Sequence, residues 1–128
     1  MVADDGYRRG APRIGADACT LAAIVTELRT VLGAKLVAYV SGATDTRTIR
    51  EWAEEIGTPS GQAAERLRLV HEIVEELRRS ESVRTISTWL QGMNPVLNDR
   101  SPARVIREEP VDDARAHVIA ATHALVST

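Results

Sequence analysis

The chain has 128 residues, 44% of them apolar and 27% charged, which fits one small soluble globular domain or two very small ones sharing a core, and excludes a disordered polymer. Sixteen Lys and Arg stand against eighteen Asp and Glu, so the net charge of −2 excludes a uniformly basic nucleic-acid coat while leaving room for a local basic patch. With no Phe and only two Trp and two Tyr, the core is expected to be thin aliphatic side chains on closely packed helices, not an aromatic platform for single-stranded nucleic acid.

Residues 1–17 carry three glycines and a proline among cancelling charges and read as a flexible tail, whose Arg8, Arg9 and Arg13 would suit a minor-groove arm if the domain behind them binds DNA. No apolar run of signal-peptide or membrane-span length is present. Cys19 is alone, which excludes an intrachain disulfide, and three scattered histidines give no zinc-ligand spacing, so no metal or cofactor is expected. The expectation is a cytoplasmic protein.

From Ala18 the apolar positions become helical, Leu21, Ile24, Val25, Leu28, Val31 and Leu32 repeating at helical spacing, with Asp17 or Thr20 as cap and Gly33 as stop. A short second helix is expected over 34–40, ending at Ser41-Gly42-Ala43-Thr44. Asp45 then reads as the N-cap of a third, running to about Ile56 with Ile49, Trp52, Ala53 and Ile56 buried. The longest helix is expected from Gln62 to about Arg79, with a buried stripe of Ala63, Leu67, Val70, Val74 and Leu77 widened by Leu69 and Ile73, and a surface pair Glu75–Arg79. Another follows over 82–91 with Val83, Ile86, Trp89 and Leu90 apolar. Beyond the turn-rich stretch 93–100, Ser101 and Pro102 are the cap and first residue of a helix to Glu108. Pro110 separates it from a last helix, 111–126, burying Val118, Ile119, Ala121, Thr122 and Leu125. No segment has strand periodicity, so the fold is expected to be all-α.

Enzyme signals are weak. The glycines never fall at phosphate-loop or dinucleotide spacing, no Ser or Cys sits in a nucleophile context, and His117 and His123, six residues apart, fall on different helix faces. No enzyme is expected. The second and third helices carry more information, because a short helix, a glycine turn and a helix opening on small polar and basic residues make a helix-turn-helix. Thr46, Arg47, Thr48 and Arg50 are the candidate DNA-binding residues, Arg for guanine or phosphate and Thr for phosphate oxygens or a thymine methyl. Two packed bundle helices with solvated arginines would have the same pattern.

Two segments add a resemblance. Thr46-Arg47-Thr48-Ile49-Arg50-Glu51-Trp52-Ala53 looks like the recognition helix of the Xre/MbcA/ParS antitoxin family. The positions Trp89-Leu90, Asn94-Pro95 and Leu97, followed by Ser101-Pro102-Ala103-Arg104-Val105-Ile106-Arg107, resemble its C-terminal toxin-binding domain. The resemblance runs from about Leu32 to the C-terminus. It departs from the pattern in a turn after Val40 that is one residue longer, in Glu109-Pro110-Val111 where a glycine is common, and in a missing glycine after Ala124.

With the tail (1–17) read from composition, the resemblance implies a helix-turn-helix part (18–60) and a helical toxin-binding domain (61–128). It implies a type II antitoxin whose partners are operator DNA and a cognate toxin of the RES type, which consumes NAD. Trp89, Asn94, Leu97 and Pro102 fall on its motif positions. Leu125, Val126, Ser127 and Thr128 form the end that would reach the toxin's active site, with His123 just before it. Arg84, Arg100, Arg104 and Arg107 against Asp99, followed at once by Glu108, Glu109, Asp112 and Asp113, make a basic patch beside an acidic one, suited to a complementary partner. The alternative is a stand-alone helix-turn-helix regulator or an oligomerising adaptor. A homodimer, or a hetero-oligomer with the toxin, is expected in the first case.

Overall fold

Short polar side chains set where most of the helices begin. Thr20, Asp45, Ser60, Ser82 and Ser101 each accept a hydrogen bond from the backbone N–H three residues on, which satisfies a donor the first helical turn leaves open. The helices they start are α1 (Leu21–Leu32), α3 (Thr46–Ala53), α4 (Gly61–Leu77), α5 (Val83–Gln91) and α6 (Pro102–Glu108). The remaining two, α2 (Ala34–Ser41) and α7 (Val111–Val126), follow directly on Gly33 and Pro110. Asp112 and Asp113 in the first turn of α7 offset its dipole. A single 3₁₀ turn, Pro95–Leu97, lies between α5 and α6. This computed structural model describes residues 20–127, and within them the fold is all-α. The expected tail with Arg8, Arg9 and Arg13, the possible cap Asp17, and Cys19 and Thr128 lie outside the described residues.

One aliphatic cluster joins the helices. Leu67, Leu69, Val70, Ile73, Val74 and Leu77 of α4 are fully buried, as a central helix requires, and α4 packs on α1, α2 and α7. From α2, Leu36, Val37 and Val40 enter the same cluster, and α2 touches α3 and α4 on one side and α6 on another. Burying a Leu, Ile or Val side chain stabilises by about 1.5–3 kcal/mol, so this continuous cluster is the main source of stability. Exposed ion pairs stitch its surface, including Arg115 of α7 to Glu72 of α4 at 2.7 Å.

The structure corrects four sequence expectations. Helix α3 stops at Ala53 instead of Ile56, because Glu55 adopts the left-handed region (φ 62°). The Ile56 N–H then bonds back to the Glu51 carbonyl at 2.7 Å and the Glu55 N–H to that of Trp52 at 3.1 Å, a Schellman closure. Ile56 leaves the helical register and is 56% exposed. Arg79 pairs with Glu76 at 2.6 Å, not with Glu75, whose carboxylate lies 3.8 Å from His71. Val83, the first residue of α5, is exposed. In α7, Ala114 is buried while Ile119 and Leu125 are only half-buried.

Candidate functional site

The pair α2–α3 is built from its ends inward. Gly42 closes α2 at φ 89°, a conformation glycine adopts without strain, and the Ala43 N–H returns to the Ala38 carbonyl at 3.0 Å. The Ser41 hydroxyl donates to Ala38 O and accepts from Ala43 N, while Arg66 of α4 donates to Ser41 O at 3.3 Å. A Cβ on Gly42 would lie 3.0 Å from that guanidinium. The turn is therefore pinned from inside the chain. Three residues after Gly42, Asp45 caps α3, and fully buried Ile49 anchors it, with Trp52 and Ala53 half-buried.

Thr46, Arg47 and Arg50 are exposed along the first turns of α3. Thr48 differs, because both its N–H (2.9 Å) and its hydroxyl (2.8 Å) donate to Asp45 Oδ1. The backbone and side-chain bonds from Thr48 hold the Asp45 carboxyl below its usual range, against slight desolvation and with help from Arg47. Thr48 thus completes the cap, and its hydroxyl is committed. Arg47 Nε lies 3.9 Å from Glu51, and Arg50 has no partner among the described residues.

The second group of predicted residues surrounds the turn between α5 and α6. Asn94 is buried and organises it: its side chain accepts from Val96 N at 3.0 Å, and its carbonyl accepts from Leu97 N and Asp99 N at 2.9 Å. Asn98 and Asp99 both take left-handed conformations (φ 58° and 67°) and reverse the chain, so that Arg100 O accepts from Asn94 N at 3.2 Å. Asn and Asp tolerate that region better than other side chains do. Leu97 and Pro102 are buried and Trp89 is half-buried, whereas Met93 is 81% and Val96 50% exposed. The 3₁₀ turn packs against α7.

Of the arginines expected to form a basic patch, Arg84 is exposed on α5, whereas Arg100, Arg104 and Arg107 are engaged locally. Arg100 donates to Leu97 O and pairs with Glu109 at 2.8 Å; Arg104 pairs with Glu108 at 3.0 Å. Arg107 donates to the Tyr39 carbonyl at 2.7 Å with its guanidinium 4.8 Å from the Tyr39 ring centre, tying α6 to α2. Burial pushes the Glu109 carboxyl up, but the hydrogen bonds from His117 and Arg100, reinforced by their charges, outweigh it and hold the group below its usual value. His123, Val126 and Ser127 are exposed at the end of α7, and half-buried Leu125 packs on the core.

One group of side chains escaped the sequence reading. His71 of α4, its ring almost enclosed, places Nε2 3.1 Å from Glu27 Oε1 of α1 and 3.8 Å from Glu75 Oε2. The His71–Glu75 spacing of four was a visible signal, but Glu27 is 44 residues from His71 and only the α1–α4 packing brings it in. Comparison with known protein families, with curated proteins and with solved structures finds no match for this chain.

Proposed function

We propose that the chain is the antitoxin of a type II module: a non-enzymatic inhibitor that covers the active site of a RES-type, NAD-consuming toxin and represses its own operon. The observation that carries this reading is the α5–α6 turn. There three residues on which the family resemblance rests, Asn94, Leu97 and Pro102, form a buried frame, and their neighbours Met93 and Val96, outside the motif, are exposed apolar side chains on a turn that packs against α7. A rigid frame presenting apolar side chains binds a partner with little ordering cost. The end of α7, with Val126 and Ser127 exposed, supplies the segment that would reach into the toxin.

Operator binding is assigned to Thr46, Arg47 and Arg50, with Thr48 acting through the cap. Repression by a palindromic operator calls for two copies of the helix-turn-helix. The test is co-expression with the product of the adjacent reading frame. The tagged chain is expected to retain that product through size exclusion, and the mass of the complex gives its stoichiometry. If the two elute separately, toxin inhibition fails, and the stand-alone regulator, favoured by the exposed start of α3, takes its place.

A further inference from the structure

A buried imidazole aimed at two carboxylates is an uncommon arrangement on the surface of a small helical protein. His71 sits in the middle of α4 with its side chain 10% exposed, and its Nε2 faces Glu27 Oε1 at 3.1 Å and Glu75 Oε2 at 3.8 Å;. The three ligand atoms all lie within 4.8 Å of one another. A nitrogen lone pair facing two ionised carboxylates would be repelled, so the position between them holds a proton, on Nε2 or on a carboxyl, or a metal ion.

We propose that Glu27, His71 and Glu75 form a site for a divalent transition metal of the zinc type, which competes with that proton and clamps α1 to α4. With metal–ligand bonds of about 2.0–2.2 Å, neighbouring ligands of a tetrahedral site are about 3.3 Å apart, close to the spacing seen. The His71–Glu27 separation already fits, and Glu75 has to close in on both, which its exposed position on α4 allows. One imidazole and two carboxylates match the charge and the borderline softness of zinc, whereas an all-oxygen set would be needed to favour calcium or magnesium. Arg78 contacts the other oxygen of Glu27, Oε2, at 3.4 Å and so orients Oε1 toward the site, the usual arrangement around a ligating carboxylate. Three protein ligands leave a fourth position to water. Because α1 also packs against α3, the clamp fixes the element on which the exposed start of α3 rests.

The experiment is calorimetric titration of Zn²⁺ into tag-free, chelator-treated chain carrying Cys19→Ser, which removes the lone thiol as a competing ligand. One saturable equivalent per chain is expected, with the NMR signals of the His71 ring shifting while those of His117 and His123 stay in place. Removing an outer-shell partner typically costs about 10–100-fold in affinity, so losing a ligand through Glu75→Gln or Glu27→Gln should weaken binding by at least about tenfold. Glu75 is exposed, so E75Q is expected to keep the melting temperature of the metal-free chain, and it decides the matter if His71→Gln does not fold. Absence of saturable heat, equal affinity in E75Q and E27Q, or perturbation of His117 in place of His71 would overturn the proposal.

Discussion

Asn94 shows how much a single side chain can organise. It caps the 3₁₀ turn, receives two backbone N–H groups on its carbonyl and pairs with Arg100 across the turn, all while buried. Replacing it with Ala leaves Val96 N without its partner and is expected to cost about 1–3 kcal/mol, measured by urea unfolding. Glu109 governs the neighbouring contact. Its folded-state carboxyl lies below the ordinary value, so its contribution is present above the ordinary carboxylate range and is lost as pH falls through the lowered value. Stability of the native chain should therefore fall more steeply on acidification than that of Glu109→Gln; parallel curves would contradict this. The role of Asn94 was legible because Asn before Pro is a turn signal. That of Glu109 was not, since its partners Arg100 and His117 meet it only once α6 and α7 are folded together.

Among the elements, caps were the most readable feature. Asp45 and Ser101 read as caps in the sequence and each proves to be one, as does Thr20, one of two candidates before α1, whereas Ser82, which reads as the first residue of its helix, is the cap of α5. Endings were harder. Helix α2 stops at a glycine, as expected, but α3 closes through Glu55 in the left-handed region, a role in which sequence reading looks for Gly or Asn. The early stop leaves α3 two turns long, with Ile49 its one fully buried anchor. On the proposed reading, its outward residues at the start would be the ones that meet DNA. Arg47→Ala combined with Arg50→Ala should weaken promoter binding and lower the slope of log affinity against log salt by up to about 2, at unchanged melting temperature. An unchanged slope would remove α3 from the operator interface.

At the scale of the whole molecule, one aliphatic cluster runs from α1 to α7. The near-absence of aromatics announced such a core, and α4 occupies its centre as the width of its apolar stripe predicted. Charge was less legible. The arginines around 100–107 form in sequence a basic run beside an acidic one, yet folding pairs Arg100 and Arg104 with those same acidic residues and sets Arg107 on Tyr39. The exposed apolar side chains left around the turn are Met93 and Val96, and the end of α7 is exposed as well. On the proposed reading, inhibition by covering a nucleotide pocket would depend on that end. The decisive measurement is cellular NAD in a host expressing the adjacent gene's product, alone, with the full chain, and with the chain ending at His123. The account predicts that NAD falls in the first case, is preserved in the second and falls again in the third, although the shortened chain remains folded. NAD equally depleted with the full chain as without it would contradict the antitoxin reading.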